Sequence, residues 1–208
     1  MPFTSYDHAR DMIDRARAVL AGANTPGLPV GVPTDIRRLA VVMGVAAIDT
    51  YMHRLIVTRV YEHQTLPGAL ATLDVPFEAL LGEADEAVAA RREARATRPR
   101  VRLKRVLRNR LQRATFQRAD DVSKALAMAG RSGQWDNIAA AMGGAWTAKA
   151  LRRRLDGIVD RRNAIVHEGD YERLDRPQVA RLQPISASDA AADIDFVSDL
   201  VDAIRSVV

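Results

Sequence analysis

From Val41 to Ile48 the chain reads Val-Val-Met-Gly-Val-Ala-Ala-Ile, with no polar side chain among the eight residues. They lie inside a proline-free stretch from Asp35 to Glu62, so one helix can run through them, with Asp35 as its cap. A helix that is apolar on every side has to be surrounded by protein. The rest of the chain must therefore supply a jacket for a long, buried, central helix. Asp49 interrupts the apolar run, and a carboxylate at that position needs a partner.

The remaining segments read as helices too. The spacing predicts a first helix from Ser5 to Leu20, capped by Thr4 or Ser5. Residues Gly22 to Pro33 hold three Gly and three Pro among twelve and form a loop. Pro67 to Pro76 is a turn-rich connector. Phe77 to Arg95 reads as a helix that is acidic first and basic last, in line with its dipole. Pro99 breaks the chain, and helical spacing resumes from Val101 to Phe116. Shorter helices follow at Asp120–Met128 and Trp135–Met142. A long helix runs from about Trp146 or Ala148 to Glu168, with Gly169 as its stop. The last helix runs from Ser188 to Val207 on a stripe of Ile194, Val197, Leu200, Val201 and Ile204. No strand alternation and no internal repeat is visible. The expected fold is an all-α, single-domain helical bundle. Residues 1–34 form an N-terminal helix and Gly/Pro-rich loop packed on a helical domain of residues 35–208.

Composition removes several classes of function. With no Cys, the chain has no disulfide, thiol nucleophile or cysteine-ligated metal. No compact His/carboxylate cluster suggests a metal, and no Gly-rich loop suggests a phosphate cradle, so no cofactor is expected. The apolar runs read as shorter than a membrane span, and the start lacks a signal peptide's order, so a cytoplasmic protein without a membrane partner is expected. The net charge of +5 and a pI near 10.0 favour an anionic partner. Between Arg91 and Arg113 eleven basic residues face one acid, Glu93. Arg98, Arg100, Arg102, Lys104, Arg105 and Arg108 are its centre, and they suit sequence-independent contact with RNA phosphates. The same run also reads as a solvated helix face, and it carries no aromatics for base stacking.

The chemistry gathers at the end of the helix near residue 168. On a 100° wheel, Leu151, Leu155, Ile158, Val159, Ile165 and Val166 form one apolar face, and Arg162 falls in its middle. A guanidinium cannot shed its charge there and needs an anion, a cage of acceptors or a ligand. Asp49 is the expected counter-ion. Asn163 and His167, four residues apart, flank the same face. Arg, amide and imidazole together suit phosphate binding and proton transfer. His167 alone also reads as a cation that complements a helix C-terminus, and Asn163 as a local backbone cap. On the central helix Asp49 and His53 share a face, where a carboxylate can orient an imidazole. A surface or interface polar pair is the alternative.

The stretch Arg161-Arg162-Asn163-Ala164-Ile165-Val166-His167-Glu168-Gly169-Asp170 resembles the motif region of the HEPN superfamily, in its RiboL-PSP-like branch. The segments Ala46–Ile56, Phe116–Leu126 and Trp135–Ala139 are similar to other parts of that branch. The resemblance spans roughly Ile36 to Val207. It implies an all-helical domain with metal-independent ribonuclease activity at a dimer interface. Arg162, Asn163 and His167 would be the catalytic set and Asp49 and His53 its support. It further implies a role in toxin–antitoxin systems or antiviral defence, with a cognate antitoxin or other regulator as partner. Some members carry His-x-Tyr after the motif as a modification site. Here Gly169 stands in the Tyr position and Tyr171 lies two further on, so that feature is not matched. The expected function is endoribonuclease action through 2′-hydroxyl attack. The alternative is a non-catalytic nucleotide- or RNA-binding module that works through a protein partner.

Overall fold

The computed structural model describes residues 4–62, 68–71, 77–92, 99–172 and 180–208. Among these there are nine α-helices and no strand beyond a single antiparallel bridge between Tyr171 and Leu182. The helices are α1 (Ser5–Gly22), α2 (Val32–Glu62), α3 (Gly68–Ala71), α4 (Phe77–Arg92), α5 (Pro99–Leu111), α6 (Ala119–Met128), α7 (Trp135–Ala141), α8 (Ala148–Glu168) and α9 (Ala187–Val207). The molecule is an all-α bundle.

The central element is α2. It packs against α1, α9, α8, α5 and α6. None of the residues from Val41 to Ile48 is exposed. Gly44 shows how close the jacket comes: a Cβ there would sit 3.3 Å from Cγ1 of Ile194 on α9. An 18-residue window within Val32–Arg59 has a mean hydropathy of 1.4, so by length and composition alone this helix also passes as a candidate membrane span, although its unbroken apolar run is short. Sixty-one per cent of that window is buried inside the protein itself, as befits a bundle's central helix. The first helix belongs to the same core, through fully buried Ala9, Ile13 and Ala16.

Helix ends follow local chemistry. Thr4 and Asp7 close a capping box on α1, and Ser186 and Asp189 close another on α9. The central helix starts three residues before Asp35, because Pro33 is acceptable in a first turn where no N–H is needed. Pro99 likewise opens α5 rather than only breaking the chain. That helix ends at Leu111, short of Phe116, and residues 112–118 become a connector. The reading of α4 as reaching Arg95, and most of the Pro67–Pro76 connector, lie outside the described residues.

α6 begins without a cap of its own, since Arg118 makes no side-chain capping bond. Asp156 of α8 supplies one instead, accepting from the Ala119 N–H at 2.9 Å. One turn on, Asp160 pairs with Arg118. These two acids fix α8 against the start of α6.

Candidate functional site

α8 begins at Thr147, whose hydroxyl accepts from the Ala150 N–H at 3.2 Å. Its apolar face is fully buried at Leu151, Leu155, Ile158 and Val159. Beyond Val159 the same face runs off the core. Ile165 is half-buried and Val166 is 46% exposed. Arg162 stands at this edge. Its Nε is buried without a hydrogen-bond partner, and its Nη1 donates to Oδ1 of Asn163 at 3.0 Å. His167 is exposed one turn beyond Asn163.

Arg162 and Asp49 do not meet: no hydrogen bond or ion pair joins them. Asp49 instead accepts from the Phe116 N–H at 2.6 Å and lies 3.7 Å from Nε2 of His53. His53 Nε2 also sits 3.2 Å from the Ala114 carbonyl, with its ring edge-on to Phe116 at 4.9 Å. Asp49 and His53 therefore tie α2 to the connector after α5. They hold no bond to Arg162, Asn163 or His167.

The ion cluster that does form at the end of α8 uses other residues. Gly169 and Asp170 both take the left-handed conformation, with φ of 64° and 60°. A Cβ on residue 169 would come within 3.1 Å of the Tyr171 ring, so glycine suits the place on both counts. This reversal drives Asp170 inward, where it is 0% exposed. Its Oδ2 accepts from Nε of Arg38 at 2.5 Å and from Nη2 of Arg161 at 2.9 Å. Arg38, 6% exposed on α2, also donates to the Gln183 carbonyl at 2.8 Å and pairs with Asp35 at 3.1 Å. Arg161 bonds Oε1 of Gln183 at 2.6 Å. One carboxylate thus joins α2 to α8, and the two guanidiniums it holds reach on to Gln183 in the strand-like segment before α9.

Sequence reasoning gave no role to Asp170, Arg38, Arg161 or Gln183. A signal for Arg38 existed. It lies three, seven, ten and fourteen residues before Val41, Val45, Ile48 and Met52, on the buried stripe of α2. The wheel test that singles out Arg162 on α8 finds Arg38 on α2.

Beside the cluster lies an open groove of about 850 Å3, lined by Arg118, Gly157, Asp160, Arg161, Asn163, Ala164, Glu172 and Gln183. Asn163 thus faces two ways, bonding Arg162 on one side and lining the groove on the other.

The basic stretch is only partly described. Arg98 lies outside the described residues; Arg100, Arg102 and Lys104 are on α5, but their side chains are outside them too. Arg105 is exposed and pairs with Glu86 of α4 at 2.7 Å. Arg108 is exposed and close enough to α2 to act on Arg54, whose guanidinium is held below its ordinary pKa by burial and then by that charge. Among the described residues no group of three or more His, Asp or Glu is placed to hold a metal ion. The chain matches no protein-family model, no characterised protein and no solved structure in comparisons of each kind.

Proposed function

We propose that this protein is a metal-independent endoribonuclease of the HEPN type, acting on cytoplasmic RNA as a homodimer. One observation carries the reading: a guanidinium at the edge of the core keeps a buried, unpartnered N–H, with an amide bonded to it and an exposed imidazole one turn on. Arg162 has N–H groups left for phosphate oxygens, and Asn163 fixes the orientation of its plane. In the reaction a ribose 2′-oxygen attacks the adjacent phosphorus and the bond to the 5′-oxygen breaks. The 2′-hydroxyl proton goes to a base and the leaving oxygen takes one from an acid. The products are a 2′,3′-cyclic phosphate and a 5′-hydroxyl.

A single His167 does not easily serve both sides of an in-line displacement. A two-fold partner would supply the second Arg162 and His167. The apolar face that leaves the core at Val166, 46% exposed, is a surface such a partner would cover. Control by a cognate antitoxin, or a role in defence, belongs to the same reading.

The test is cleavage of mixed RNAs in EDTA by wild type and His167→Ala. The variant should keep its circular dichroism and lose at least about a hundredfold in rate. Wild type that needs an added divalent ion, or His167→Ala that cuts normally, sinks the mechanism. Wild type that binds RNA and never cuts it leaves the non-catalytic module.

A further inference from the structure

Gly157 is the tenth residue of α8, where a glycine weakens a helix relative to almost any other residue. Usually a close neighbour explains such a glycine, as Ile194 does for Gly44. Gly157 has no such neighbour: a Cβ built on it meets nothing within 4 Å, and its φ is not left-handed. The fold does not require glycine there. What the residue does is line the groove, together with Ala164 two turns on. Asp160 and Arg161 stand between them on the same helix face, and at Gly157, where no side chain rises, a flat group can lie close to the backbone beside Asp160.

The walls are polar and of both signs. Arg118 and Asp160 are ion-paired through one carboxylate oxygen, so a guanidinium and a carboxylate stand side by side at the rim. Glu172 adds a second carboxylate, and Asn163 an amide whose nitrogen makes no bond among the described residues. A flat ligand with an acceptor beside two donors complements such a pair. Among the RNA bases only guanine has that edge: O6 and N7 accept, while N1–H and N2–H donate side by side. Arg is the usual partner of the first pair, and a carboxylate accepts both donors of the second. Adenine lacks the carbonyl, and uracil and cytosine lack the paired donors.

We infer that the groove is a nucleobase pocket, and that it takes a guanine of the RNA strand whose phosphate is held at Arg162 and His167. The inference rests on the ribonuclease reading, and it makes Arg118, Asp160 and Gly157 determinants of where the strand is cut. Asn163 joins the two subsites, because it touches Arg162 on one side and the groove on the other.

The experiment pairs binding with cleavage. Guanosine 5′-monophosphate and its adenosine, cytidine and uridine counterparts are titrated into the full chain. An RNA containing every dinucleotide step is then digested and its ends mapped. The guanosine nucleotide should bind at least about fivefold tighter than the others, the lower end for one bidentate contact. Cuts should adjoin guanine. Gly157→Leu should weaken binding at least about fivefold without lowering the melting temperature, since Leu is a strong helix former entering open space. Gly157→Ala should weaken it less, and Asp160→Asn should erase the preference for guanine.

Guanosine binding unchanged in Gly157→Leu, or efficient cutting by wild type without regard to guanine, overturns the inference and leaves the ribonuclease standing. Guanosine binding that is lost in Gly157→Leu, in a protein that cuts no RNA, overturns the ribonuclease and leaves the base pocket. A guanosine nucleotide that changes the cutting rate without competing for the cut site makes the groove a free-nucleotide site, which also overturns the inference.

Discussion

The central helix carries two polar stations, and they are built on opposite principles. At Arg38 a guanidinium is sunk into the core edge and meets an aspartate with no solvent contact at all. At Asp49 the aspartate is about one quarter exposed, and its main partner is a backbone N–H, with an imidazole at 3.7 Å. The first station joins three chain segments through charge and has no water to fall back on. The second pins one connector and can trade its bonds for solvent. Burial, more than the number of bonds, sets how much each is worth.

The largest expected effect follows from that difference. Asp170→Ala takes the one fully buried carboxylate from Arg38 and Arg161, leaves them only Asp35 at the surface and neutral acceptors around Gln183, and should cost about 3 kcal/mol in urea unfolding, the low end for breaking a buried pair. Asp49→Ala removes a charge-assisted bond at a partly wet site and should cost about 1.5 kcal/mol. Equal losses at the two positions would erase the contrast.

The adjacent arginines sharpen it further. Arg161 is consumed by Asp170 and Gln183, whereas Arg162 bonds only Asn163 among the described residues. A double-mutant cycle on Arg161→Ala and Asp170→Ala should show a coupling of at least about 1 kcal/mol in stability. The cycle on Arg162→Ala and Asp49→Ala should be additive within about 0.5 kcal/mol. Coupling in the second pair would restore the ion pair that the sequence suggests and the structure does not form.

The smallest effect lies at an aspartate with no burial. Asp189 accepts from the Ser186 side chain and backbone, and both bonds hold its carboxyl below the usual range. A depressed folded-state pKa gives stability that is present above the unfolded value and lost as pH falls through the folded one. The melting temperature of Asp189→Ala should therefore lie below that of wild type at pH 7 and approach it in acid. A gap that persists unchanged to pH 2 would mean that Asp189 acts without its charge.

Periodicity made the elements legible. The buried stripe of α9 contains every apolar residue expected of it, Ile194, Val197, Leu200, Val201 and Ile204. The stop at Gly169 and a cap at Thr4 or Ser5 were visible as local chemistry; the structure chooses Thr4 and adds Asp7 to close the box. Two kinds of information were not. A wheel shows which face is apolar but not how far along the helix the core extends, so Val166 looks buried and is not. Side-chain partners set by tertiary approach are also silent in one dimension. Asp49 stands out as a polar break in α2 and invites the nearest unexplained cation, Arg162, yet the backbone of Phe116 reaches it first. Asp170 looks like an ordinary turn residue until two left-handed positions point it inward. The groove beside Asn163 needed α6 and the segment around Gln183 to be in place before it existed at all.

The bonds of Arg38 to Asp170 and to the Gln183 carbonyl span 132 and 145 residues. During synthesis the first two helices emerge well before either acceptor exists. At the usual pace of translation Arg38 waits roughly 7 to 26 s for Asp170 to be made. Until then the end of α8 lacks the ion pairs that Arg38 and Arg161 make with Asp170. A cell that makes this protein therefore makes a nascent chain in which the guanidinium of Arg38 waits for its buried counter-ion until α8 is complete.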